Sequence, residues 1–223
     1  MTTRRVGPLS LQPLGGNDPL RQAGFQEPTE HMSTLVIYLL SVAVLLASAF
    51  LIFRILVRCN YRERGQLTLL CSLLELAVCL AYASVPYIYN PPCWPYVWSC
   101  QNSAPQILAI SGYVLVSIGA ILGFGSMMWL GLRRSFGQQV TGLYRSGPYR
   151  LTRNPQVLGG FLIVTGIALL WPSCYAFGWA ALWIAMFHPM VLTEEEHLHR
   201  VYGDDYAAYC ERVPRYIGWR SRL

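Results

Sequence analysis

The stretch Ile167-Ala168-Leu169-Leu170-Trp171-Pro172-Ser173-Cys174-Tyr175-Ala176-Phe177 lies at the middle of 31 uncharged residues, 157–187, and its reading decides the fold. Thirty-one residues are too many for one untilted span of a bilayer, and Trp171-Pro172-Ser173 interrupts them midway. Proline inside a helix removes a hydrogen bond and clashes with the preceding turn, so the run reads as a helical hairpin with two short arms. An arm of about 14 residues reaches only about 21 Å, so such a hairpin is tilted, thins the bilayer locally or penetrates it incompletely.

Outward from the hairpin, three more runs are long and apolar. Residues 33–53 carry no charge for 21 positions, which at about 1.5 Å per residue covers the roughly 30 Å of hydrocarbon in a bilayer. Residues 66–89 form a second run interrupted by Glu75, and residues 105–132 a third. In the third, Gly112, Gly119, Gly123 and Gly125 let neighbouring helices approach closely. The expected fold is an all-α membrane protein of about five transmembrane helices, near 33–57, 66–89, 105–132, 157–170 and 174–190. A cytosolic loop and a C-terminal helical segment, 191–223, complete it. Residues 1–31, rich in Pro, Gly, Gln and Leu without periodicity, read as a disordered tail, and 32–223 as one membrane domain with no separate soluble unit.

Composition agrees. The chain is 54% apolar and 13% charged, against about 25% charged in soluble domains. Its net charge of +6 excludes a nucleic-acid groove on distribution, because all 17 basic residues are arginine and most sit in two short loops beside apolar runs. Arginines 54, 58, 62 and 64 follow the first run, and 133, 134, 145, 150 and 153 lie between the third run and the hairpin. That is the positive-inside pattern. It places both loops and the C-terminal segment in the cytosol, and the N-terminus, the Pro172 turn and the uncharged loop 90–104 outside. In that outer loop Cys93 and Cys100 can pair if the compartment is oxidising, and Trp94, Tyr96 and Trp98 fit an interfacial belt. The other cysteines read as apolar fillers.

Chemistry concentrates in two polar segments that flank the hairpin, 133–156 and 193–217, and must meet if the hairpin closes. Either alone has an ordinary explanation, as arginines snorkelling to headgroups or acids favouring a helix start. Their order and spacing change the reading. Gly142-Leu143-Tyr144-Arg145-Ser146-Gly147-Pro148-Tyr149-Arg150-Leu151-Thr152-Arg153-Asn154-Pro155, then a Pro-broken hairpin, then Glu194-Glu195, Leu198, Tyr202-Gly203, Tyr206, Tyr209 and Val213-Pro214-Arg215 resemble the isoprenylcysteine carboxyl methyltransferase and phospholipid methyltransferase superfamily. The resemblance covers about the last 90 residues.

What the resemblance implies is an integral membrane methyltransferase with an S-adenosylmethionine pocket at the cytosolic ends of the last helices. Cofactor contact is carried onto Tyr149, Asn154, Pro155, Gln156, Val157 and Glu194, with Thr141, Gly142, Leu143, Tyr144 and Gln138 following. Glu194 suits the cofactor's ammonium, and Tyr144 or Tyr149 suits its sulfonium. Arg153 and Glu195 are the catalytic candidates; Arg153 either meets the cofactor carboxylate or fixes the loop to Glu195. Methyl transfer by direct displacement needs alignment and exclusion of water rather than a metal. The acceptor is lipophilic or small and reaches the site from the bilayer, bearing a carboxylate, an amine or a thiol. Phospholipid N-methylation, thiol S-methylation and a non-catalytic protein with a degenerate site are the alternatives.

Three departures bear on the choice. Many relatives carry histidine at the position of Asn154 and tyrosine at that of Val157. Met190 stands where the prenylcysteine enzymes have an arginine suited to a substrate carboxylate, which argues against importing that substrate. Two further features draw attention. Glu75, an acid inside an apolar run, is a functional residue by default, set against a bundle-facing pair or a protonated acid. His197 and His199, beside three glutamates, look like metal ligands, but their i, i+2 spacing points them to different helix faces, and both are expected in solvent. The sequence sets no oligomeric state.

Overall fold

The computed structural model describes residues 28–90, 104–138 and 142–218 of the chain. Among these, all regular structure is helical. Helix α1 (Pro28–Phe50) continues without a break through a π-helical segment (Leu51–Val57) into α2 (Arg58–Arg64). Then come α3 (Leu69–Ser84), the single turn α4 (Pro86–Tyr89), α5 (Gln106–Leu130), the single turn α6 (Leu132–Ser135), a 3-10 turn (Gly147–Arg150), α7 (Pro155–Leu170), α8 (Cys174–Tyr202) and α9 (Asp204–Arg212). Four helices are long and apolar enough to cross a membrane: Met32–Arg64, Leu69–Tyr89, Gln106–Leu130 and Cys174–Tyr202. Large apolar side chains on their outer faces, such as Leu40, Val44, Leu70, Ile107, Ile121 and Met128, stand exposed, as lipid-facing surfaces do.

The hairpin is present, with its two arms unequal. α7 has 16 residues, about 24 Å of rise. The second arm does not stop near 190. It runs on as one helix of 29 residues to Tyr202, through Pro189. Thr193 Oγ1 donates to the Pro189 carbonyl at 3.0 Å, the kind of hydroxyl contact that lets membrane helices accommodate proline. The turn itself obeys the sequence, for Ser173 caps α8 by accepting from the Ala176 N–H at 3.1 Å.

Short α7 is held by backbone proximity. An added Cβ on Gly119 would lie 2.6 Å from the Gly159 carbonyl oxygen, and one on Gly112 would lie 2.8 Å from that of Gly166. Gly123 faces Gly159 likewise, whereas Gly125 faces open space and takes no part. On its other side α7 meets α8 through Trp183, whose Nε1 donates to the Val157 carbonyl at 2.9 Å. The remaining core joins α1, α3 and α8 by aromatic rings with satisfied polar ends. Tyr82 and Trp179 stack 5.1 Å apart, and each donates to the other's backbone carbonyl, at 2.9 and 3.1 Å. Tyr38 donates to the Tyr175 carbonyl at 2.9 Å.

Because the α5–α7 contact leaves no room for a side chain, Gly159→Val is expected to destabilise the protein by roughly 1–3 kcal/mol or more through overpacking. Gly125→Ala is expected to be neutral. Thermal unfolding of the two variants in detergent checks both, and equal melting temperatures would contradict the close approach.

Candidate active site

Glu194, Glu195 and Glu196 are consecutive on α8, and with 3.6 residues per turn they leave the helix about 100° apart, toward three different neighbours. That divergence organises the site.

Glu196 faces the π-helical segment and α2. Its carboxylate lies 2.9 Å from Arg54 Nη1 and 2.7 Å from Arg58 Nε, and Arg54 also donates to Thr193 Oγ1 at 3.1 Å. Arg54 belongs to the π-helical segment, a type of helix irregularity that occurs mostly at functional sites.

Glu195 faces inward and is buried. Arg215 grips it from the C-terminal segment, with Nε at 3.1 Å from both oxygens and Nη2 at 2.7 Å. Arg153 reaches it from the loop before α7, Nη1 to Oε1 at 3.1 Å. The two catalytic candidates are thus paired with each other. The same latch continues through the backbone: Arg153 N–H donates to the Pro214 carbonyl at 2.9 Å, while Thr152 Oγ1 and Asn154 Nδ2 donate to the Arg215 carbonyl at 3.0 and 3.1 Å. The Asn154 amide is therefore a fastening of the loop to the C-terminal segment.

Glu194 faces a cavity of about 150 Å³, and among the described residues nothing hydrogen-bonds to it or forms an ion pair with it. The cavity gathers Gly142, Leu143, Tyr144 and Tyr149 from the loop, Asn154, Pro155, Gln156 and Val157 from the start of α7, and Met190 and Glu194 from α8. These come from segments 33 to 52 positions apart in the chain, brought together by the hairpin. Gln138 is not among the lining residues; its N–H closes a turn on the Arg133 carbonyl at 2.8 Å. Thr141, and Cys93, Cys100, Trp94, Tyr96 and Trp98 of the outer loop, lie outside the described residues.

The loop is itself braced. Tyr209 donates to the Tyr149 carbonyl at 2.6 Å, and the Gln156 amide donates to the Tyr149 hydroxyl at 3.2 Å and to Ser135 Oγ at 3.1 Å. Burial, reinforced by the charge of Glu194, raises the Tyr149 hydroxyl above the ordinary phenol range, so it remains protonated at neutral pH. Burial likewise pushes Tyr209 up to about 12. The Tyr144 ring has the Arg134 guanidinium carbon 5.0 Å from its centroid, so one of its faces already holds a cation. Gly147, at φ +59°, is needed on two grounds: its left-handed conformation, and a Cβ there would press 2.7 Å from the Trp129 ring.

Residues that the sequence did not single out also line the cavity, namely Val57, Tyr61, Leu67 and Phe136, and so does Glu75 on α3, which the sequence did single out. Tyr61 follows Arg54 and Val57 at helical spacing on one face, and that register was the available signal. The expectation for His197 is corrected. It is buried, with its ring stacked 4.2 Å from that of Tyr61 and its Nδ1 3.1 Å from Arg200 Nη2, which also donates to the Tyr61 carbonyl at 2.6 Å. An aromatic neighbour and an arginine one turn away draw it inside. His199 is exposed, edge-on to Tyr206.

A family model described as phospholipid methyltransferase matches residues 107–205, from α5 into α9. This agrees with the resemblance read from 142–215 and is consistent with the isoprenylcysteine carboxyl methyltransferase and phospholipid methyltransferase superfamily. Among curated proteins, the chain is similar to the nickel-cobalt-cadmium resistance protein NccN of Alcaligenes xylosoxydans xylosoxydans, 26% identical over 124 residues. That alignment takes in 56% of this chain and 54% of the relative, so the chain spans about half the length of the curated protein it matches. No solved structure matches.

The unequal burial of the two ion-paired glutamates makes a prediction. Glu195→Gln strips a buried charge from Arg153, only 10% exposed, and is expected to destabilise by about 3–5 kcal/mol. Glu196→Gln removes a pair whose acid is 41% exposed and is expected to lose under about 1 kcal/mol. Denaturant titration of the two variants ranks them, and the reverse order would refute the latch.

Proposed function

We propose that the chain is an S-adenosylmethionine-dependent methyltransferase of the membrane, binding its cofactor in the cavity between the loop 142–157 and Glu194. The observation that carries this reading is Glu194 itself, an acid lining a cavity and paired with no cation among the described residues, in the segment that matches the phospholipid methyltransferase family.

The donor set fits the cofactor. A zwitterionic amino-acid end needs one anion and one hydrogen-bond donor close together. Glu194 is the anion for its ammonium. The donor is Arg153 Nε, a buried N–H on the cavity wall that has no hydrogen-bond partner, and such a group costs about 1–3 kcal/mol unless something satisfies it. Tyr149, kept neutral and fixed by Gln156 and Tyr209, supplies a hydroxyl and a ring edge. Leu143, Pro155 and Val157 supply apolar wall for the adenine. When bound, S-adenosylmethionine offers a methyl group on a sulfonium. The protein's own work is to hold that methyl in line with a nucleophile and to keep water out.

The Glu195 latch serves the second task, since it ties the loop to α8 and to the C-terminal segment over the cavity. The acceptor is lipophilic or small, because the other wall of the cavity belongs to membrane-crossing helices. The arginine-rich loops support a cavity on the cytosolic face.

Calorimetric titration of the detergent-purified protein with S-adenosylmethionine and S-adenosylhomocysteine is expected to give a Kd on the order of micromolar, about −8 kcal/mol. Glu194→Ala is expected to weaken both by roughly 10- to 100-fold, the worth of a charged hydrogen bond. Folded protein that binds neither compound would sink the methyltransferase reading.

A further inference from the structure

Glu75 has no part in the reading above, yet it lines the same cavity. It stands six residues into α3, about 9 Å along a helix that is apolar enough to cross a membrane. A carboxylate there is costly, and nothing among the described residues compensates it, whether by ion pair or hydrogen bond. The two guanidiniums on the cavity wall are engaged elsewhere, Arg153 with Glu195 and Arg134 over the Tyr144 ring. Two acids thus line one cavity, Glu194 from α8 and Glu75 from α3. Glu194 is accounted for by a cofactor ammonium, and Glu75, on a helix apolar enough to cross a membrane, is left for the acceptor.

We propose that Glu75 is the acceptor-side residue of this site. Its carboxylate receives the hydrogen bond, and then the proton, of an acceptor whose reacting atom carries hydrogen, an amine or a thiol, and it repels a carboxylate acceptor. The proposal rests on the methyltransferase reading. In balance, the acceptor's X–H bond, the N–H of an alkylammonium or the S–H of a thiol, breaks and its proton passes to a Glu75 oxygen. The electron pair so freed forms the bond from X to the methyl carbon, and the electrons of the broken S–C bond stay on sulfur. No other reactant is needed.

The test uses dodecylamine, dodecanethiol and dodecanoate, one chain length with three headgroups, titrated into the purified full chain by tryptophan fluorescence after saturation with S-adenosylhomocysteine. In the unsubstituted protein dodecanoate is expected to bind at least about tenfold more weakly than the other two. Glu75→Gln is expected to remove that preference while S-adenosylhomocysteine binds near its normal affinity, a readout independent of turnover. Equal binding of the three probes, or a preference that survives Glu75→Gln, overturns the proposal and leaves the cofactor site standing. Failure of S-adenosylhomocysteine to bind the unsubstituted protein overturns the methyltransferase reading and this proposal with it. If Glu75→Gln alone fails to bind it, Glu75→Asp decides, since the shorter carboxylate must keep the preference and its loss overturns the assignment.

Discussion

Glu195 is buried beside a membrane-crossing bundle, and a carboxylate in that position is tolerable only if guanidinium groups meet it. Two do, and they come from opposite ends of the site: Arg153 precedes α7, and Arg215 follows α9. Satisfying one charge therefore fixes three segments that share no secondary structure. The backbone bonds from Arg153 to Pro214, and from Thr152 and Asn154 to Arg215, lie within the same junction and align because the ion pair has already set the spacing. The cavity is what this junction leaves between the loop and α8.

The second requirement is that α7 be short and close. A 16-residue helix does not span hydrocarbon, so it must shelter against a longer one. The Gly119–Gly159 and Gly112–Gly166 contacts bring α5 and α7 together at backbone distance, where dispersion between main chains replaces side-chain interdigitation. The N-terminal end of α7 is thereby held below the loop that precedes it. Trp183 adds a hydrogen bond to the Val157 carbonyl from the other side, which positions the first turn of α7 at the cavity edge. A glycine seam and one indole thus place the residues that the loop motif contributes.

Much of this was legible in the sequence. Apolar runs, the Trp171-Pro172-Ser173 break and the glycine spacing carry direct physical consequences, and the loop and tail motifs carried the site. What escaped depends on tertiary context. Helix α8 passes position 190 because Pro189 is accommodated within a membrane helix, and no local rule separates that outcome from a stop. His197 is inside because Tyr61, far away in sequence, offers a ring to stack on. Asn154 lines the cavity, and its amide also holds the Arg215 carbonyl, a partner invisible to spacing. Glu75 was conspicuous as an acid in an apolar run, and only the fold connects it to Glu194.

The run Glu194-Glu195-Glu196 shows how one motif supports several tasks without specialised geometry. Repeated acids on a helix are usually a solvated face. Here the 100° step sends Glu196 to an exposed tether with the π-helical segment and α2, Glu195 to a buried latch and Glu194 to the cavity. The three environments set three different values for the same side chain: screened and weak at the rim, strong and structural in the junction, uncompensated at the cavity. An uncompensated acid is the least stable arrangement of the three, and folded proteins retain such groups where a bound partner completes them. The latch makes that arrangement tolerable, because Arg153 and Arg215 are committed to Glu195 and do not collapse onto Glu194. Removing Glu195 would free Arg153 to do so, which is why the latch residue governs the charge of the uncompensated one beside it.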